Sequence, residues 1–329
     1  MSQQPDPEAD PEADPEADPG EICVFAPAPL LTVTVEEATN GEPELHVHCG
    51  GQGFWVARMI QTLEASLALC ASFGGETGSV ARHLVEEARM SLRGTSTGSA
   101  NPAYVQDRRS GEREEIVNVP GGPLTRHELD DLYSATLTAS LGAKVCVLTG
   151  TQDPEILSAT VFRRLSTDLG ANGVMVVADL SGEQLRQALQ GGLRMLKTSD
   201  DELLDGGWAA SDDEAGVIEG LKKLHEAGAQ EVVVSRGARP AMALVGDTLL
   251  AVEPPSLEPV DTRGSGDSMT AALAVALSRD FDPPATLKFA AAAAALNITR
   301  RGSGSGQRTD IEHLGDRIEL RPLDDPAGS

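Results

Sequence analysis

Asp261-Thr262-Arg263-Gly264-Ser265-Gly266-Asp267-Ser268 runs without interruption into an apolar stretch from Met269 to Leu277. The pattern predicts a small-residue loop entering a helix, with a carboxylate at the junction. The first N–H groups of a helix have no intrahelical partner, and they carry partial positive charge. Gly264 and Gly266 let this backbone approach a ligand closely, so the place suits an anion. A carboxylate beside an anion then needs a reason. One is chemical: Asp267 accepts the proton of a nucleophile attacking a phosphate. The other is structural: Asp at a helix start serves as an N-cap.

Upstream of this stretch, from residue 125 onward, helical and strand patterns alternate. Helices are predicted at 125–139, 154–169, 182–188 and 214–226. Apolar strands are predicted at 145–148, 174–178, 195–197 and 232–235. Continuous apolar strands between amphipathic helices imply a mostly parallel sheet covered on both faces. A hairpin at 241–245 and 249–252 turns at Gly246-Asp247. Helices at 268–278 and 286–296, then a helix and strand within 310–320, end the fold. In the first half, strands fall at 22–25, 31–36, 45–49 and 67–72, helices at 54–63 and 79–88, and a hairpin joins 104–106 to 115–119. Sites in open parallel sheets lie at the carboxyl ends of strands. Gly50-Gly51, Thr149-Gly150, Asp179, residues 197–202, Gly237 and the 261–268 loop all fall there, so they can converge on one crevice.

The 329 residues carry a formal charge of −25, which argues against nucleic acid or an anionic membrane as partner. The first 21 residues hold eight acidic and no basic side chains, with Pro-Glu-Ala-Asp three times from Pro7 to Asp18. Proline every fourth residue forbids a helix, so residues 1–21 read as a disordered solubilising tail or a docking tail. The four cysteines are scattered without a CxxC, as expected of reduced thiols. No charged-then-apolar leader opens the chain, and no apolar run reaches about 18 residues, so a cytoplasmic location is expected. His46 and His48 alternate on a strand and share a side, as lid-surface residues or a metal pair. P-loop and hydrolase-elbow motifs are absent.

Asp261–Ser268 resembles the C-terminal D-T-x-G-A-G-D signature of the PfkB (ribokinase-like) carbohydrate kinases. Gly50-Gly51-Gln52-Gly53-Phe54-Trp55-Val56-Ala57-Arg58 resembles their G-G-K-G-x-N-V-A-R signature. Between them, Leu148-Thr149-Gly150-Thr151 is similar to L-S-G-S, and residues 178–183 to L-D-T-S-G-E. Residues 197–203 are similar to K-P-N-x-x-E-L, and 234–238 to V-S-x-G-A. The resemblance spans residues 22–320 and is closest to the 1-phosphofructokinase and tagatose-6-phosphate kinase branch. It implies a Rossmann-like α/β domain with a small β-sheet lid, formed by strands near 31–49 and 104–119, and a homodimer through that lid. Residues 321–329 are expected to fray.

The resemblance also implies ATP and Mg²⁺, and a monovalent cation such as K⁺. Asp267 matches the general base, and the amides of Gly264, Ser265 and Gly266 match the anion hole. Glu202 matches the residue that organises Mg²⁺ through water, or it is a helix-start Glu. Asp261 matches a monovalent-cation position, or it forms a turn. Lys197, Ser235, Gly237, Asn297 and Gly302 match the region around the nucleotide. The acceptor end departs from the family. Its N-P-A-x-D acid falls on Pro27-Ala28-Pro29-Leu30-Leu31, the signature Lys is Gln52, and the Asn after it is Trp55. The T-R-x-N segment is Thr97-Gly98-Ser99-Ala100-Asn101, without the arginine. The acceptor is therefore expected to meet Leu31, Gly51, Gln52, Trp55 and Asn101. Three functions stay open: a kinase for a sugar or sugar-like hydroxyl, a degenerate member that binds without turnover, and a kinase for a less polar acceptor suggested by Trp55 and Leu31.

Overall fold

The computed structural model describes residues 20–324 apart from 112, 152, 301 and 303. The Pro-Glu-Ala-Asp tail up to residue 19, and residues 325–329, lie outside the described residues. The chain order is β1 (Ile22–Phe25), β2 (Leu30–Glu37), β3 (Pro43–Gly50), α1 (Gln52–Thr62), β4 (Leu67–Gly74), α2 (Gly75–Glu87), β5 (Ser91–Thr97), β6 (Ala103–Asp107) and β7 (Glu114–Val119). It continues with α3 (Arg126–Leu141), β8 (Val145–Thr149), α4 (Thr160–Ala171), β9 (Met175–Asp179), α5 (Gly182–Gly191), β10 (Leu193–Ser199), α6 (Asp200–Asp205) and α7 (Glu214–Glu226). The last elements are β11 (Ala229–Arg236), β12 (Arg239–Val245), β13 (Thr248–Glu253), α8 (Ser265–Ser278), α9 (Pro283–Ile298), α10 (Arg308–Gly315) and β14 (Glu319–Pro322).

Ten strands form one sheet in the order β14-β13-β12-β11-β10-β9-β8-β1-β4-β5. The run from β11 to β5 is parallel, and β12, β13 and β14 extend it antiparallel. Alternation along each strand feeds both faces: Ile22 and Val24 pack with α1, α2, α8 and α9, while Cys23 and Phe25 pack with α3, α4, α5 and α7. Burial on both faces explains the unbroken apolar strands. All four cysteines are buried free thiols. No helix among the described residues is long and apolar enough to cross a membrane.

Four strands form a separate sheet, β3-β2-β6-β7, over the carboxyl ends of the main one. This is the expected lid. Its registers run in phase across β3, β2 and β6, and β7 follows with a shift between Val105 and Gln106. One face carries the rows His48–Thr32–Tyr104–Asn118 and His46–Thr34–Gln106–Glu115, and the other carries Val47–Val33–Val105–Val117.

Three of the departures from expectation have clear causes. Ser91–Thr97 is a strand, because its polar side chains sit on the outer edge of the sheet beside β4. The α4 helix starts at Thr160, later than predicted, because residues 153–157 turn inward to bury Ile156 and Leu157. The chain end is ordered further than predicted: β14 pairs with β13 through Pro322, and Leu323 is buried.

Candidate active site

The 261–268 loop enters α8 at Gly264, the N-cap, whose φ of 69° is left-handed and favours glycine. Asp267 is therefore the third residue of the helix and makes no capping bond. Gly264, not Asp267, thus takes the N-cap position in this helix. The first intrahelical bond in this turn is Ser268 N–H to Gly264 O at 2.9 Å. The amides of Ser265, Gly266 and Asp267 precede it, so they have no partner within the helix.

A buried ion pair supports this turn from below. Lys197, at the end of β10, sits 3.3 Å from the Asp179 carboxylate at the end of β9. Asp179 also accepts the Thr270 hydroxyl at 2.6 Å, one turn along α8 from Gly266. A Cβ placed on Gly266 would stand 2.7 Å from Lys197 Nζ, so glycine is what lets the ammonium reach the loop. Burial pulls the Lys197 ammonium down, but the carboxylates of Asp179, Glu202 and Asp267 outweigh it and hold its pKa above the ordinary lysine value. Burial, with Asp179 and Glu202 adding negative charge, pushes Asp267 up to about 7, against the pull of Lys197. A carboxyl poised there can both take and release a proton near neutral pH.

Two connected spaces meet at this point. A cleft of ≈ 1190 Å³ separates the lid from the loop and includes Asp267, Gly264, Gly302, Trp55, Gln52 and the polar lid face. A smaller cavity of ≈ 150 Å³ leads from Gln52 towards Asp179, Glu202 and Gln184. Leu30, Gly51 and Gln52 line both. Gln52 accepts the Gly150 amide at 3.1 Å through Oε1, which leaves its Nε2 hydrogens as donors. Trp55 packs against Phe54 and His48 with ring centroids 5.1 and 5.7 Å away, so it is both packing and cleft wall. Glu202 closes a capping box with Ser199, and the same side chain lines the cavity.

Several expected site residues take other places. Leu31 shares the outward row of the lid with Cys49 and Ala103, because strand side chains alternate; Leu30 and Thr32 face the ligand space instead. Asn101 is buried and holds backbone: it accepts the Gly74 amide and donates to Pro29 and Ser72 carbonyls, so it is scaffold and lines neither space. Asn297 is likewise buried, donating to Arg263 O at 2.7 Å and accepting the Gly304 amide at 3.1 Å. It ties the 261–268 loop to the glycine loop behind it. Both Asp261 oxygens accept from the Arg263 guanidinium, at 2.9 and 2.5 Å, so in this structure the carboxylate is paired within its own loop. Ser235 donates to Thr198 O, and Gly237 forms the left-handed turn between β11 and β12; both stand at strand ends but line neither space. Asp179, Thr270, Gln184, Thr34 and Gln106 were not assigned to the site from sequence. Strand-end position was the available signal for Asp179, and period-2 alternation for the lid residues.

The sequence profile described as pfkB family carbohydrate kinase matches residues 25–310. The chain belongs to this family. Among curated relatives of this pfkB member, the ATP-dependent 6-phosphofructokinase isozyme 2 of Escherichia coli K12 is 27% identical over 275 residues, 80% of this chain and 86% of that one. The 1-phosphofructokinase of Vibrio cholerae is 24% identical over 306 residues, 90% of this chain and 95% of that one. Among solved structures, phosphofructokinase-2 from Escherichia coli in complex with potassium superposes with a TM-score of 0.81 at 23% identity, covering 91% of this chain and 99% of that one. Arabidopsis thaliana ribokinase complexed with ribose and ATP gives 0.70 at 18% identity, covering 90% and 98%. The fold is ribokinase-like, and family membership makes this pfkB protein a kinase.

Proposed function

We propose that this chain transfers the γ-phosphoryl group of ATP to a hydroxyl of a sugar, a sugar phosphate or a sugar-like small molecule, with Asp267 as general base. The observation that carries the reading is the Asp267 carboxylate, uncapped, facing the cleft, with its pKa pushed up to about 7. Asp267 takes the hydroxyl proton as the acceptor oxygen bonds to the γ-phosphorus and the bond to ADP breaks. The amides of Gly264, Ser265 and Gly266 face the charge on the transferring group, and Lys197 fixes positive charge beneath them. Glu202, with Asp179 in the same cavity, suits Mg²⁺, which needs only one or two carboxylates beside phosphate oxygens. Bound there, Mg²⁺ would neutralise triphosphate charge, with Glu202 acting through water. Gly302 on the cleft rim and Ser235 and Gly237 at the end of β11 are the proposed nucleotide wall. The polar lid face supports a hydroxylated acceptor over a less polar one. A cytoplasmic, ATP-rich compartment fits four free, buried thiols.

The test is ADP release with Mg-ATP and four acceptors: fructose, tagatose, fructose 1-phosphate and fructose 6-phosphate. The base must be ionised to act, so kcat/KM is expected to rise about tenfold per pH unit up to about 7 and then level. Transfer to none of the four would overturn the function. A flat profile between pH 5.5 and 8 would remove Asp267 as the base.

The apolar outer lid face is proposed to pair with a second copy. Leu45, Val47, Val117 and Val119 lie exposed on β3 and β7. Light scattering is expected to read a dimer of the 34.4 kDa chain, and Val47→Glu a monomer. A monomeric wild type would refute the pairing.

A further inference from the structure

The lid has inverted polarity. Its outward face is valine-rich, whereas the face over the cleft carries Thr32, Thr34, His46, His48, Tyr104 and Gln106. Within that ceiling Gln106 is 2% exposed. Its Nε2 donates to Thr34 Oγ1 at 2.7 Å, while Oε1 has no hydrogen-bond partner among the described residues. A buried amide oxygen without a donor is costly, and a native fold keeps one where something else completes it. The β6–β7 register shifts between Val105 and Gln106. Such bulges recur beside active sites, where they re-aim a side chain. Gln106 lines the same cleft as Asp267, Gln52 and Trp55.

We infer that Gln106 is a specificity-determining residue whose free amide oxygen takes a hydroxyl hydrogen from the acceptor bound beneath the lid. A carbonyl oxygen needs a donor. An ionised phosphate offers only acceptors, so the acceptor presents a hydroxyl-bearing, uncharged part to this point. Thr34 orients the amide by occupying its other end. His48, two strands away across β2, has its pKa lowered by burial, and Glu36, Arg108, Arg109, Arg113 and Glu115 bring charge to the same cleft, so Gln106 places a neutral amide among charged neighbours.

The inference rests on the kinase reading, and the experiment separates the two. Mg-ATP kinetics are measured with the same four acceptors, wild type against Gln106→Met, which keeps size and loses both polar ends. For whichever acceptor wild type phosphorylates best, KM is expected to rise about tenfold, the loss of one hydrogen bond to a neutral partner, with the KM for ATP within twofold. Thr34→Val is expected to raise the acceptor KM about two- to fivefold by freeing the amide. It serves as the deciding variant if Gln106→Met does not fold. If wild type uses an acceptor and the variant leaves its KM within about twofold, only this inference falls. If wild type uses none of the four, the kinase reading falls and takes the inference with it.

Discussion

Asp267→Asn is expected to lower kcat by about 10³-fold, the range that a positioned general base contributes, while ATP affinity stays within a few-fold of wild type. The substitution keeps the side-chain shape and the α8 N-terminus, which is built from backbone around Gly264. Turnover and ATP binding therefore separate. Turnover retained in the variant would sink the assigned base. The same change has a second signature, in stability. Because the folded-state pKa of Asp267 is raised to about 7, the native protein binds more protons than the unfolded chain between about pH 4 and 7. Stability from this group is full below the unfolded value and is lost as pH rises through 7. Asparagine removes that loss. Without nucleotide, Asp267→Asn is expected to melt higher than wild type above pH 7, by about 2–4 °C for each kcal/mol relieved, with the gap closing towards pH 4. The two signatures together are those expected of a residue that costs the fold stability in exchange for activity.

Lys197→Met is expected to cost about 3–5 kcal/mol of stability, because it leaves the Asp179 carboxylate buried without its cation. Thermal or urea unfolding reads this directly. The double variant Lys197→Met with Asp179→Asn is expected to recover most of the loss, since the uncompensated charge is then gone and Thr270 can still hydrogen-bond the amide. Additive losses in the double variant would show that the pair is not coupled. Catalysis should respond differently. Removing the ammonium takes away a group that lowers the pKa of Asp267, so the acid limb of the rate profile is expected to move above pH 7. Misfolding alone would lower the rate without moving that limb, so the limb distinguishes the two effects.

Much of the architecture was legible in the chain. Unbroken apolar strands between amphipathic helices carried the parallel sheet, and 261–268 carried the helix entry with its carboxylate. Gly50-Gly51 and Thr149-Gly150 did line the ligand spaces as strand-end positions. Other residues stand where the sequence could not place them, for identifiable reasons. Leu31 falls at the position of the family's acid, yet a one-residue step along a strand exchanges its faces, and Leu30 and Thr32 are the residues that line the cleft. Asn101, Asn297 and Asp261 are polar residues at plausible positions. Their hydrogen bonds go to backbone and to Arg263, which no local pattern reveals.

The sequence by itself determined the fold class, the family and the placing of Asp267 at a helix entry, because these depend on local periodicity and on motifs read in order. Only the tertiary structure decided the surroundings of Asp267. Its proton affinity follows from burial and from Asp179, Glu202 and Lys197, three groups brought from other strand ends by parallel pairing. Likewise, each lid strand alone shows simple alternation. Register across four strands is what turns the threonines, histidines and Gln106 towards the cleft and the valines away, since a face exists only once neighbouring strands are in phase.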